Sequence, residues 1–98
     1  MDRKRGGAMN GAGLISIERA RQISEEGWDA THDDDHAREE LAAAGSYLAI
    51  PLEHNVDPPP SWVFDLEEKH RGDRIRTLVI AGALIAAEID RLQREAQR

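Results

Sequence analysis

The chain has 98 residues, no cysteine and a net charge of −6, from 19 acidic against 13 basic side chains. That length holds one domain, and the lack of thiols excludes a disulfide framework, a thiolate zinc site and a cysteine nucleophile. The acid excess argues against nucleic acid as a partner. Mean hydropathy is −0.62, and the longest nearly uncharged run, 77–87, is short of the ~20 apolar residues that a membrane span needs.

In chain order, residues 1–13 carry four glycines and a local charge of +2. They read as a flexible N-terminal tail ahead of a single helical domain at 14–98. Arg3, Lys4 and Arg5 lead into Gly6 and Gly7 rather than an apolar stretch, which reads against a secretion leader. Ser16 is placed to cap a first helix that Gly27 ends, with Ile17, Ala20 and Ile23 on its inner face and Leu14 as a staple. Trp28 should fold back onto the core. Residues 29–36 form a polar loop, in which Asp34 or Asp35 can cap a second helix over 36–48. Ala37, Leu41, Ala44, Gly45 and Leu48 fall on one stripe of that helix, and the small residues predict a close helix–helix approach.

Pro51 stops the second helix, and Pro58, Pro59 and Pro60 form a stiff strut before Trp62 and Phe64. Asp73 is a good cap for the closing helix. From there Ile75, Leu78, Gly82, Ile85, Ile89, Leu92 and Ala96 alternate spacings of three and four without a slip. A helix of about 24 residues, ~36 Å long, follows at 1.5 Å per residue. Val79, Ala83 and Ala86, with Ile80, Leu84 and Ala87, widen its apolar face until the middle should be covered nearly all round. No useful β-alternation occurs. The expected fold class is all-α, about three helices with a long C-terminal one and a Pro/Trp-containing loop. The short partners cannot cover so apolar a helix, which predicts a homo-oligomer.

The acidity is local: residues 25–40 hold eight acids against Arg38 alone, whereas 65–98 balance at seven and seven. A metal reading takes His32, Asp33 and His36 with Glu39 or Glu40, a donor set suited to Zn²⁺, Mn²⁺ or Mg²⁺. A plain reading of the same run is a solvated loop with cap aspartates. The run also makes an acidic patch for a basic partner. A divalent-metal nucleotide pyrophosphohydrolase, using Mg or Mn, needs acids on facing helices. Glu39 and Glu40 begin such a pattern, but Ala43 and Ala44 stand where the third acid belongs. Glu88 and Asp90 point about 200° apart on a helix. Arg74 and Arg76 at the start of the closing helix, with Trp28 or Trp62 to stack on, make a candidate site for a nucleotide-type small molecule. The bland alternative pairs those arginines with the aspartates at 33–35.

The segments Gln22-Ile-Ser-Glu-Glu-Gly-Trp28, His32-Asp-Asp-Asp-His36, Glu40-Leu-Ala-Ala-Ala44 and Arg76-Thr-Leu-Val-Ile-Ala-Gly-Ala-Leu-Ile85, closing with Ala87-Glu-Ile-Asp-Arg-Leu92, resemble a small family of uncharacterised phage and prophage proteins. The resemblance implies viral origin and the cytoplasm of a bacterial host, and brings no activity with it. Gly27-Trp28 and Asp33-Asp34 are also similar to the ryanodine-receptor repeat domain, although the His-Pro-x-Leu segment is missing. That likeness implies binding of a nucleotide-type ligand. The expected function is a non-enzymatic phage accessory protein that binds such a ligand or a host protein and counters host defence. The pyrophosphohydrolase, and an oligomer acting by acidic contact with a host protein, are the alternatives.

Overall fold

The computed structural model describes residues 9–35, 40–51, 54 and 73–98. Among them are four helices and no strand: α1 (Gly11–Glu26), α2 (Ala30–Asp34), α3 (Glu40–Ala49) and α4 (Arg74–Ala96). The fold is a small all-α domain closed by a long C-terminal helix.

Helix α1 starts five residues before the expected cap. Asn10 stands in extended backbone and its side-chain oxygen accepts from the Gly13 N–H at 2.9 Å, so Gly11–Gly13 are its first turn rather than the end of a tail. Residues 1–8 lie outside the described residues. Gly27 ends α1 as expected: at φ 75° it adopts the left-handed conformation, and the Trp28 N–H donates to the Gln22 carbonyl at 3.0 Å. That turn throws Trp28 back against the core.

The loop expected at 29–36 contains a helix of five residues. Asp29 caps it, accepting from the His32 N–H at 3.0 Å, whereas the start of the helix expected to be capped by Asp34 or Asp35 lies outside the described residues. The second expected helix is seen from Glu40 onward, and Ala37 lies outside the described residues. Leu41, Ala44, Gly45 and Leu48 are its buried stripe. Asp73 caps α4 through the Arg76 N–H at 3.0 Å, and the Thr77 hydroxyl donates back to the Asp73 carbonyl at 2.9 Å.

The core is the α3–α4 contact: Leu41, Ala44 and Leu48 against Ile80, Ala81, Leu84 and Ala87, with Trp28 and Tyr47 at its edge. Gly45 makes it possible. A Cβ there would stand 2.9 Å from the Ala81 carbonyl oxygen and 2.9 Å from Ile85 Cγ1. The small-residue stripe therefore brings two backbones together, as the spacing implied.

Two inner faces differ from expectation. The buried residues of α1 are Glu18 and Gln22, while Ile17 and Ile23 are exposed. On α4 the covered line is Thr77, Ile80, Leu84, Ala87 and Arg91. The more apolar heptad line faces outward: Ile75 is 70% exposed, Leu78 41%, Ile85 40%, Ile89 52% and Leu92 45%. Both lines share the spacing of three and four, so periodicity alone could not rank them.

Candidate functional site

Asp33 is fully buried. Arg19 of α1 donates through Nη2 to Asp33 Oδ2 at 2.7 Å and through Nη1 to the Trp28 carbonyl at 3.0 Å. The other Asp33 oxygen lies 3.0 Å from His32 Nδ1, and the His32 ring stacks on Trp28 at 5.7 Å between centroids. Asp34 is held by Arg94 at 2.8 Å and Arg98 at 3.0 Å. The Arg94 hydrogen bond, with the charges of Arg94 and Arg98, holds the Asp34 carboxyl below its usual range. Arg21 approaches Glu26 at 3.3 Å and Glu25 at 3.8 Å.

Among the described residues the acidic run is thus tied to α1 and to the end of α4 by Arg19, Arg94 and Arg98, and not by Arg74 and Arg76. His32 and Asp33 of the candidate metal set lie side by side within α2, and Arg19 on Asp33 ties that helix to α1. Glu40 begins α3, half-buried. His36 and Glu39 lie outside the described residues. No group of three or more histidine, aspartate or glutamate side chains gathers around a common point among the described residues.

The candidate ligand residues are dispersed in role. Arg76 reaches Glu18 Oε1 at 2.8 Å. Arg74 donates to the Ala49 carbonyl at the end of α3. Trp28 belongs to the α3–α4 core and the His32 stack, and Trp62 lies outside the described residues. Burial pushes the Glu18 carboxyl up, but hydrogen bonds from Arg21 and Gln22 and the charges of Arg76 and Arg21 outweigh it. The result lies below the ordinary value of 4.5. An anion arriving at Arg76 would compete with a fully ionised Glu18.

Sequence reasoning missed Arg19, whose partner is 14 positions away, and Arg94 and Arg98, whose partner is 60 and 64 away. The sequence contains no local signal for such pairs. Glu88 and Arg91 were missed as well, Arg91 reading as part of the helix end that emerges into water. Arg91 Nε donates to Glu88 Oε1 at 2.7 Å with both side chains buried, and the i, i+3 spacing is the signal that could have found the pair.

The surface these pairs leave is apolar. A groove of about 220 Å³ between α1 and α4 is lined by Gly11, Leu14, Ile15, Ile75, Leu78 and Val79. A neighbouring cleft shares Leu14, Ile75 and Val79 and reaches Glu18, Asp73 and Arg76. Further along α4, Ile85, Ile89 and Leu92 form an exposed ridge. Ile15 covers Gly82 between the two, its Cδ1 lying 2.5 Å from where a Cβ would be.

No family model, curated protein or solved structure matches this chain. The motif resemblances stand on their quoted residues alone, and the surface itself is the guide to function. No helix among the described residues is long and apolar enough to cross a membrane.

Proposed function

We propose that this chain is a non-enzymatic helical binding module, whose working surface is the apolar strip along α4 and the first turns of α1, and whose ligand is a protein helix. One observation carries the reading. The more apolar of the two 3–4 lines of α4 is the exposed one, with five large aliphatics 40–70% accessible. A contiguous apolar strip of this kind marks an interaction surface, and heptad spacing suits it to another helix.

The charged residues support a non-catalytic role. Asp33, Glu18 and Glu88 are buried and each is matched by arginine. A general base or metal ligand drawn from Asp33 would strip the mostly buried Arg19 of its carboxylate, and one drawn from Glu88 would leave the buried Arg91 only Glu95. The phage resemblance places such a module in the cytoplasm of an infected bacterium, as an accessory protein that binds rather than reacts.

The test is hydroxyl-radical footprinting of dilute protein, at about 0.1 μM, where weak association is absent. Oxidation of Ile75, Ile89 and Leu92 well above that of Leu41 and Leu84 is expected. Equal protection of both sets would mean that the chain covers its own strip, and the reading would fall.

A further inference from the structure

The groove and the ridge lie on the same helix, and each has the shape that the other lacks. The groove is walled only by apolar side chains: Leu14 and Ile15 on one side, Ile75, Leu78 and Val79 on the other. The ridge, Ile85, Ile89 and Leu92, begins about two turns of α4 beyond Leu78. We infer that the occupant of the strip is a second copy of this chain, its α4 antiparallel to the first, so that the groove of each copy receives the ridge of the other. This inference rests on the binding-module reading.

Three observations favour a second copy over a foreign helix. The first is register. Setting Ile75 opposite Leu92 of the second copy places Leu78 opposite Ile89 and Gly82 opposite Ile85. Reading on past the midpoint repeats the same pairs in reverse, so one two-fold operation satisfies every layer, as an isologous interface requires. Leu92 and Ile89 each meet a groove residue, Ile75 and Leu78, and in the middle layer Ile85 meets the Ile15 side chain that covers Gly82.

The second is charge. Arg74 and Glu95 each stand one place ahead of a line position, Ile75 and Ala96. The antiparallel register sets Arg74, which also reaches the Ala49 carbonyl, opposite Gln93 of the second copy and two residues from Glu95, the partner of Arg91, at both ends. A parallel pair would set Gly82 against Gly82 and keep Arg74 and Glu95 at opposite ends of the assembly. Antiparallel packing also opposes the two helix dipoles.

The third is area. Ile75, Leu78, Ile85, Ile89, Leu92 and Leu14 together leave on the order of 500 Å² of apolar surface exposed. Two copies would bury on the order of 1,000 Å² from these side chains, close to the roughly 1,200 Å² at the lower end of specific interfaces, before any polar rim is added.

Sedimentation equilibrium and thiol cross-linking test the pairing. The full chain has no cysteine of its own, so Ile75→Cys and Leu92→Cys each introduce the sole thiol. Wild type is expected to be a dimer at about 10–100 μM, and Ile89→Asp to weaken dimerisation at least ~100-fold with unchanged helical circular dichroism. Mixing the two cysteine variants under mild oxidation is expected to give the heterodimer in excess over either homodimer. A monomer at ~300 μM whose strip is still oxidised at Ile89 overturns the second copy and leaves the binding module standing. A monomer with a protected strip, covered by residues 55–72 of its own chain, overturns both. Homodimers of Ile75→Cys in excess of the mixed product overturn the antiparallel arrangement. If Ile89→Asp unfolds, Leu92→Ser with the same sedimentation readout decides.

Discussion

The two faces of α4 divide the work of one helix. The face toward α3 carries Ile80, Ala81, Leu84 and Ala87, closes over Leu41, Ala44 and Leu48, and tolerates the buried Glu88–Arg91 pair. The opposite line is richer in large aliphatics and stays outside. A core in so small a domain is set by how closely backbones approach, and alanines and Gly45 permit that approach where isoleucines would hold the helices apart. The bulkier line is left exposed, as the surface that the proposed partner would cover.

The largest effect should come from unbalancing the charge on the inner face. Arg91→Ala leaves Glu88 uncompensated and should cost about 3–5 kcal/mol in denaturant unfolding. Replacing Glu88 and Arg91 together by methionine and leucine should recover most of that loss. Leu84→Ala opens a cavity in the same face and should cost about 2–5 kcal/mol. Ile89→Ala on the other face should cost the isolated chain less than ~0.5 kcal/mol when measured dilute. Equal losses for Leu84→Ala and Ile89→Ala would end the distinction between the faces.

Much of this architecture is legible from the residues. Asp73, Gly27 and the stripe Leu41, Ala44, Gly45, Leu48 each follow from a local rule about caps, left-handed glycine or helical spacing. The assignment of faces does not. Ile17 and Ile23 read as core on α1, yet Glu18 and Gln22 are buried there, because Arg21 and Arg76 satisfy Glu18 from two helices. Depth depends on partners that arrive from far along the chain, and periodicity carries no information about them. The candidate site suffered most. Asp33 reads as a metal ligand or as part of a solvated loop, until Arg19 is seen to close on it. The apolar seam and its incomplete cover were visible from spacing and partner length, although which of the two lines stays outside was not.

Smaller effects sharpen the picture. A methyl at Gly45 strikes backbone, so Gly45→Ala should cost about 1–3 kcal/mol. Gly82→Ala strikes Ile15 at Cδ1 and Cγ1, a β-branched side chain that must shift as a whole, and should likewise cost about 1–3 kcal/mol. Acid should also reveal the Glu18 contact. Its folded pKa lies below the unfolded value near 4.5, so its stabilisation is complete above that value and is lost as pH falls through the folded pKa. Wild type should lose stability over that interval, and Glu18→Gln should show a shallower slope in pH-dependent urea unfolding.

The division of α4 is tested most directly by methyl NMR across a dilution series. The δ-methyl resonances of Ile85, Ile89 and Leu92 should shift with concentration, while those of Leu41, Ile80 and Leu84 stay fixed. Outer methyls that never move from micromolar to millimolar protein, or inner methyls that move with them, would contradict it.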